Sequence, residues 1–345
     1  MICTYLRSSS YGTHDFCERK YFIDYVLGWR SPPHNNKASK GTIVHKALEM
    51  LAQIKLAKQE MKTFIVNDEL GKFFISELTP DICIELAYHH ISNKETMYDW
   101  TESDFKDCRK WMWEALTYNN GMFNPLKQNI VRPEQYFDIE FKEPWAYYKY
   151  KMPDGTDLEG HLAIKGTFDL LVKLDDNVYE LIDYKTGKRI DWNTGEEKTY
   201  AKLCNDPQLR MYHYAASKLF PDIEQIIVTI YYIQDGGAIS MNYTKDDLKK
   251  TEIMLKNKFN LIRNTFKPKS IYPSWKCTSL CHFGKYDMEG KKITKDEYKE
   301  KSICRNIGNE LLTLGMDRVM LKHSKSHVSE YGSGGGRSGG NDKQS

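Results

Sequence analysis

The sequence predicts an α/β fold, and three stretches of the chain carry that prediction. Residues 165–188 alternate apolar and polar side chains on either side of a short acidic turn, which is the pattern of two antiparallel strands joined as a hairpin. Asp206 followed by Pro207 is typical of a helix N-cap and first helical position. Residues 223–234 are rich in β-branched and aromatic side chains, as in a buried strand. The predicted order is helix, antiparallel strands, helix, strand, helix.

The predicted hairpin brings two carboxylates together. A three-residue loop at 175–177 would pair Leu174 with Val178. Counting back along both strands from that pair sets Asp169 directly opposite Asp183. Like charges in such positions repel each other, so a bound cation would stabilise the pair.

A divalent cation and a lysine would turn this hairpin into a hydrolytic site. Mg²⁺ or Mn²⁺ prefers oxygen ligands such as the carboxylates of Asp169 and Asp183, and it can polarise a phosphodiester and activate water. Lys185 follows Asp183 by two residues on the same strand face, where its ammonium would stabilise charge that develops on the phosphate. The alternative is a solvated hairpin whose aspartates merely face water.

Five motifs occur in the order found in one nuclease superfamily. They are CERKYFIDYVLG (17–28), KGTIVHKALE (40–49), GTFDLL (166–171), IDYKTG (182–187) and QLRMYHYA (208–215). Together they resemble the PD-(D/E)XK nuclease superfamily, and within it the RecB-type exonuclease domains and their CRISPR-adaptation and phage relatives. The resemblance spans residues 8–281, and the combination is more specific than any single motif.

The resemblance implies a restriction-endonuclease-like αβββαβ core and a Mg²⁺- or Mn²⁺-dependent deoxyribonuclease. The metal ligands that it implies are His45, Asp169, Asp183 and the main-chain carbonyl of Tyr184. Lys185 would be the catalytic cation beside the two aspartates. Gln208 and Tyr212, one turn apart on the following helix, would border the active site and contact nucleic acid. Taken alone, a single histidine on a helix is more often structural or solvated, so the role of His45 depends on its motif.

The cysteines predict a metal cluster or free thiols rather than disulfides, because the eight of them occur in a chain without a signal-peptide core. In the iron-sulfur nucleases that the chain resembles, one cysteine before the core joins three after it to hold a 4Fe-4S cluster. Cys17, Cys277, Cys281 and Cys304 reproduce that number and order. The long gap before Cys304 departs from the compact spacing of that family, so this residue stays open as a ligand. Zn²⁺ bound by the same thiols, with or without His282, and unliganded cysteines are the alternatives.

Composition limits the classes of protein to which the chain can belong. With 345 residues and 40% hydrophobic content, it can bury a large core in one or two domains. The 50 basic and 47 acidic residues nearly cancel, so a nucleic-acid groove must depend on local patches of charge. No apolar run is long enough for a membrane helix. We therefore expect a soluble, cytoplasmic protein with no membrane partner.

On this interpretation the chain divides into four segments. They are an N-terminal helical region (1–134) that contributes Cys17 and His45, the nuclease core (135–266), a cysteine-containing segment (267–322) that packs on the N-terminal region, and a Gly/Ser-rich tail (323–345). The tail has too few apolar residues for a packed core, so we expect it to be disordered.

Two further stretches have a predicted secondary structure. After a polar start at residues 8–16, an apolar stripe from Cys17 to Val26 predicts an amphipathic helix that ends near Gly28. Residues 144–152 interleave aromatic side chains with lysines and predict a strand at the beginning of the sheet. Lys149 and Lys151 on that strand would contact a phosphate backbone or form an ordinary solvated edge.

The predicted function is cleavage of DNA by an exonuclease that acts on single-stranded ends in replication, recombination or repair. Its partners would be single-stranded DNA and proteins of replication or recombination. The alternative is a DNA-binding or assembly factor of a replication, recombination or packaging complex, with a nuclease-like fold and little or no turnover. The complete set of Asp169, Asp183 and Lys185 favours catalysis.

Overall fold

The structure is a computed structural model that describes residues 1–29, 36–191 and 194–324. The tail predicted to be disordered lies outside the described residues, apart from its first two positions.

The chain forms two compact units, each assembled from distant parts of the sequence. The first unit contains the described parts of residues 1–34, 138–166 and 250–345, and the second contains those of residues 35–137 and 167–249. These bounds differ from those of the segments drawn from the sequence, which stay predictions.

Helices and strands alternate along much of the chain. The described strands are β1 (Tyr5–Leu6), β2 (Phe64–Asn67), β3 (Gly71–Phe74), β4 (Ile130–Glu140), β5 (Tyr147–Lys151), β6 (Asp157–His161), β7 (Ala163–Asp175), β8 (Val178–Lys185), β9 (Gln225–Tyr232) and β10 (Gly237–Tyr243). The described α-helices are α1 (Ser8–Phe16), α2 (Glu18–Tyr21), α3 (Lys37–Gln59), α4 (Pro80–Lys94), α5 (Glu102–Gly121), α6 (Tyr200–Cys204), α7 (Pro207–Leu219), α8 (Lys245–Arg263), α9 (Trp275–Ser279), α10 (His282–Lys285), α11 (Tyr298–Lys301), α12 (Ile303–Thr313) and α13 (Met316–His323). None of the helices in the described ranges has the length and apolar character needed to cross a membrane.

A mixed sheet organises the second unit. β7 pairs antiparallel with β8, β8 pairs parallel with β9, and β9 pairs antiparallel with β10. β4 also pairs with β7. In chain order, α3, β4, β7, β8, α7 and β9 follow the predicted αβββαβ order. The prediction of an α/β fold with a restriction-endonuclease-like core is confirmed.

The hairpin of β7 and β8 has the predicted register. Its backbone pairs end with Leu170 opposite Ile182. Asp169 and Asp183 are the next residues on the two strands, so they lie just beyond the last pair, where side chains are free to make other contacts.

The predicted pairing of Leu174 with Val178 is wrong. Asp175 pairs with Val178, and Leu174 is the extra residue of a β-bulge. The bulge compensates for a turn that is one residue shorter than predicted, so the register along the rest of the hairpin is unchanged. Asn177 in this turn has a φ of 59°, a left-handed conformation that asparagine tolerates.

A buried apolar cluster joins α3, α4 and α5 to the sheet of the second unit. Val44 and Leu48 of α3 belong to it, together with Leu170 of β7 and Ile182 of β8, and each is at most 2% exposed. Burial of side chains of this size stabilises the unit by about 1.5–3 kcal/mol each. The cluster fixes α3, which carries the predicted ligand histidine, against the strands that carry the two aspartates.

Helix α7 begins where the sequence predicts. The Asp206 side chain accepts a hydrogen bond of 2.9 Å from the backbone N–H of Gln208, and Pro207 occupies the first helical position. The local cap fixes the start of this helix because it satisfies an N–H that has no partner within the helix.

In the first unit, the helix predicted to end near Gly28 is present as α2 and the helical turn that continues it to Val26. Cys17 is extended, with φ of −169° and ψ of 120°, and it separates α1 from α2. A π-helical turn follows at Phe22–Val26. The stripe from Tyr21 to Val26 therefore lies on helical residues, whereas its first member, Cys17, is the N-cap of α2.

β5 and β6 form a separate two-stranded sheet, so the prediction that residues 144–152 begin the main sheet is wrong. The Lys149 ammonium lies 3.2 Å from the Glu159 carboxylate and 3.7 Å from that of Asp157. Because Lys149 is neutralised by carboxylates of its own hairpin, these contacts favour a solvated edge over a contact with a phosphate backbone.

Candidate active site

Three side chains of the second unit form a group suited to a metal ion. One ligand atom each from His45 on α3, Glu134 on β4 and Asp169 on β7 lie within 4.8 Å of one another. Imidazole nitrogen and carboxylate oxygen are ligands for Mn²⁺, and carboxylates also suit Mg²⁺. The group contains two of the residues predicted from the sequence and one that was not predicted.

Asp169 is held by a helix and by a neighbouring strand. His45 Nδ1 lies 3.3 Å from Asp169 Oδ2, and the backbone N–H of Tyr184 donates a 2.8 Å hydrogen bond to the same oxygen. Burial lowers the pKa of His45, but the Asp169 carboxylate has the larger effect and raises this pKa to about 9. Burial likewise raises the pKa of Asp169, and the charges of His45 and Lys185 outweigh it and bring that pKa below its ordinary value. The charged forms of the two groups therefore stabilise each other.

Glu134 is the member of the group that is not among the residues predicted from the sequence. Its φ of 44° places it in the left-handed region, where a residue other than glycine is strained. Burial raises its pKa to about 8, and the charges of Asp169 and Glu49 act in the same direction. The one signal in the sequence that points to Glu134 is the preceding Pro133, since proline within a strand marks an edge or a bulge.

Asp183 lies beside this group rather than in it. It is 1% exposed, and its Oδ2 lies 2.6 Å from Lys185 Nζ. The Lys185 ammonium is thus the partner of Oδ2, and this oxygen has no further partner among the described residues. Burial raises the pKa of Asp183 to about 6, with Asp169 adding to the rise and Lys185 opposing it. A buried carboxylate with spare acceptor capacity is suited to a cation.

Lys185 has the position predicted for a catalytic cation. Burial lowers its pKa, but Asp183 and Asp169 outweigh burial and raise the pKa above its ordinary value. The ammonium is therefore charged at neutral pH. Its side chain is 31% exposed, which leaves part of it accessible to a substrate.

Gln208 connects α7 to the aspartates. Its Nε2 donates a 3.0 Å hydrogen bond to Asp183 Oδ1 and a 2.8 Å hydrogen bond to the Tyr212 hydroxyl. The Tyr212 ring is 8% exposed and meets the Phe168 ring edge-on at 5.4 Å. These contacts make Gln208 an orienting group for Asp183, while the predicted contact of both residues with nucleic acid stays a prediction.

Tyr184 contributes through its backbone and anchors its ring elsewhere. The ring is 2% exposed, and the hydroxyl donates a 2.7 Å hydrogen bond to the carbonyl of Phe123. The carbonyl of Tyr184 as a metal ligand stays a prediction.

The four cysteines predicted to hold a cluster all line one cavity of the first unit. Cys17, Cys277, Cys281 and Cys304 are each at most 6% exposed, and none is in a disulfide. No three of these described sulfurs lie within 4.8 Å of one another. In a tetrahedral zinc site, Zn–S bonds of about 2.3 Å would hold the sulfurs about 3.8 Å apart. The present spacing is therefore wider than that of a single-ion thiolate site.

The surroundings of the cysteine cavity also bear on its chemistry. The cavity measures ≈ 10 Å³, room for about one water molecule. Cys17 donates to the Lys269 carbonyl at 3.6 Å, and Cys304 donates to Ser270 Oγ at 3.7 Å. Four converging thiols fit a cluster in donor type and number, and its insertion would require the side chains to move outward. His282 is not among the residues that line the cavity.

Comparisons with known proteins give a family match and two solved structures that are similar to this chain. A model of the PD-(D/E)XK nuclease superfamily matches residues 8–286, and no curated protein matches the chain. The crystal structure of a provisionally named exonuclease from Eubacterium rectale aligns at 10% identity over 81% of this chain and 88% of that chain, with a TM-score of 0.46. The crystal structure of SSO0001 aligns at 13% identity over 68% of this chain and 84% of that chain, with a TM-score of 0.24. Structural likeness at these scores carries no functional argument. The family match covers most of the chain and every residue of the acidic site, so this chain belongs to the PD-(D/E)XK nuclease superfamily.

Proposed function

We propose that this chain is a Mg²⁺- or Mn²⁺-dependent deoxyribonuclease that degrades single-stranded DNA from its ends. The observation that carries the proposal is the convergence of His45, Glu134 and Asp169 within 4.8 Å, next to the buried pair of Asp183 and Lys185. A structural hairpin does not require three potential ligands beside a buried pair of carboxylate and ammonium at one place.

Each residue of this site has a distinct part in the proposed hydrolysis. His45, Glu134 and Asp169 would hold the cation, with Asp183 as a further carboxylate ligand. The bound cation supplies Lewis-acid polarisation of the phosphodiester and a more acidic water. Lys185 donates hydrogen bonds to the phosphate oxygen on which charge develops. Gln208 keeps Asp183 in its orientation.

Cleavage assays with Lys185→Ala and Asp183→Asn test the proposal. Labelled linear single-stranded DNA is incubated with Mn²⁺ or Mg²⁺, and we expect each variant to lose about 10²–10³ in rate, as when one positioned donor or charge is removed from an active site. Asn at position 183 keeps an oxygen for the hydrogen bond from Gln208, so this variant retains the local geometry. Lys173→Ala is the matched control, because Lys173 lies on the same hairpin and pairs with Asp176 in the turn.

The choice of substrate tests the finer parts of the proposal. Circular single-stranded DNA has no ends, and resistance of the circle with digestion of the linear strand is the result expected of an exonuclease. Duplex DNA and RNA of the same sequence test the preference for single-stranded DNA. Undiminished cleavage by Lys185→Ala and Asp183→Asn would remove the proposed active site.

The second candidate function is a DNA-binding or assembly factor of a replication, recombination or packaging complex. It is favoured by the ion pair of Lys185 with Asp183, because this contact occupies the proposed catalytic ammonium. DNA binding without any metal-dependent product by the wild-type chain would support this second function. Participation in DNA replication, recombination or repair, and partners from those processes, belong to both proposals.

We also propose that Cys17, Cys277, Cys281 and Cys304 hold a 4Fe-4S cluster. The support is their common cavity and the thiolate type and number of the four donors. Protein purified without oxygen should absorb visible light and contain iron and sulfide, and Cys281→Ser should lose both. Cys108→Ser is the control, since this cysteine is buried in the second unit. Stoichiometric zinc in place of iron would favour the alternative metal.

A further inference from the structure

A second cavity of the first unit has the composition of an anion site. It measures ≈ 310 Å³ and is lined by Arg19, Lys269, Ser270, Tyr272, Tyr298 and Arg305. This volume lies within the range of about 300–1,000 Å³ that is usual for small-molecule sites. Three of its lining residues are cationic and none is acidic, so its field favours a negatively charged group.

The cations of this cavity are available to a ligand. Within the described ranges, none of Arg19, Lys269 and Arg305 forms an ion pair with a carboxylate. Lys269 uses only its backbone N–H to donate to Glu18, at 2.8 Å. A cation without a carboxylate partner on a concave surface binds an anion more strongly than a cation that must first break an existing ion pair.

Arg19 is the most fixed of the three. Its Nη2 donates a 3.3 Å hydrogen bond to the Pro268 carbonyl, and its guanidinium lies against α12 at Gly308. A Cβ at position 308 would lie 2.2 Å from Arg19 Nη1, so only glycine leaves room for the guanidinium there. Arg19 Nε is buried and has no hydrogen-bond partner among the described residues.

An aromatic surface adjoins the cations. The rings of Tyr272 and Tyr298 stack with their centroids 4.5 Å apart and their planes 12° apart. Tyr298 is 2% exposed, whereas Tyr272 is 37% exposed. The buried ring therefore supports the exposed one, which presents a preorganised platform for a planar group.

We propose that this cavity binds a nucleoside phosphate unit, with the phosphate on Arg19, Lys269 and Arg305 and the base against Tyr272. The pairing of cationic groups with an exposed, supported aromatic ring is the combination by which proteins bind single nucleotides of a strand without reading their sequence. Inorganic phosphate or an acidic peptide would bind to the cations but would not explain the exposed ring of Tyr272. The unit can come from a single-stranded nucleic acid or from a free nucleotide. Binding in this cavity is separate from hydrolysis at the acidic site.

Equilibrium binding in the presence of a chelator tests the proposal without turnover. The full chain is titrated into a fluorescent single-stranded oligonucleotide of about 15 nucleotides, near the upper limit of common site sizes, and anisotropy is recorded at several salt concentrations. We expect Lys269→Ala/Arg305→Ala to reduce the slope of log K against log salt by up to about 0.7, because the cavity holds one phosphate and each phosphate contact on a single strand contributes about 0.7. Tyr272→Ala should weaken binding at least about fivefold, the lower limit for a lost base stack.

The matched control for charge is Lys291→Ala/Arg318→Ala, which removes one exposed lysine and one exposed arginine of the first unit that do not line the cavity. Calorimetric titration with adenosine 5′-monophosphate distinguishes the two sources of the unit. If Tyr272→Ala and the pocket double variant lose binding of the oligonucleotide alone, the ligand of the cavity is a strand. If they lose binding of both probes, the ligand is a free nucleotide. Equal binding of both probes by the wild-type chain, Tyr272→Ala, the pocket double variant and the control overturns the proposal. Should the double variant fail to fold, Tyr272→Ala decides alone. A failure in this assay leaves cleavage at Lys185 untouched.

Discussion

Acidification is expected to destabilise the second unit through His213 on α7. The imidazole is 4% exposed and stacks on the Tyr243 ring at a centroid distance of 5.0 Å. Its Nδ1 is buried without a hydrogen-bond partner among the described residues. Burial lowers the pKa of His213 from 6.5 to about 4, Asp247 opposes this effect, and Arg210 adds to it.

The sign and size of the effect follow from this pKa. Because the pKa of His213 is lower in the folded state, the unfolded chain binds a proton between pH 6.5 and 4 that the folded unit does not bind. The stability contributed by neutral His213 is therefore complete above pH 6.5 and is lost as the pH falls toward 4. At 1.36 kcal/mol per pH unit, acidification to pH 5 removes about 2 kcal/mol, and the full window removes about 3 kcal/mol.

His213→Phe isolates this contribution, because phenylalanine cannot titrate and retains a ring to stack on Tyr243. Hydrogen exchange of the α7 peptide, read by mass spectrometry between pH 8 and 5 and corrected for the intrinsic rate, reports the local free energy of opening. We expect the wild-type chain to lose about 2 kcal/mol more than His213→Phe over that range. Parallel pH dependence in the two proteins would refute the assignment of a buried neutral imidazole.

Three further predictions test the acidic site and its support. Glu134→Gln should weaken the binding of Mn²⁺, measured by calorimetry, by more than about 10–100-fold, which is the loss typical when a residue that only supports a metal ligand is removed. Unchanged affinity would exclude Glu134 as a ligand. Tyr184→Phe should cost about 1–3 kcal/mol in urea unfolding because the buried Phe123 carbonyl loses its donor, while cleavage by the folded variant persists because the N–H to Asp169 is main-chain. Gly41→Ala should destabilise by about 1–3 kcal/mol through overpacking, since its Cβ would lie 2.7 Å from Thr186 Oγ1; Thr186→Ala in the same chain should restore stability, and equal loss in the double variant would contradict the proposed clash.

Local sequence patterns predicted much of what lies close along the chain. Asp206 and Pro207 gave the start of α7, because a cap depends on residues within one turn. The alternation of residues predicted the two strands of the hairpin and the faces of their side chains. The register that places Asp169 near Asp183 was counted from a wrong turn pair and is correct because the bulge at Leu174 offsets the shorter turn.

Tertiary structure decided the features that depend on contacts between distant residues. Glu134 joins His45 and Asp169 only because β4 pairs with β7 and a strained backbone turns the carboxylate toward the group. Cys17 is extended between α1 and α2, and its thiol lies in the cavity with cysteines more than 250 positions away. By itself the sequence determined which chemical groups the chain possesses and how neighbours are spaced. Folding decided which of them meet, because burial and charge act through space and not along the chain.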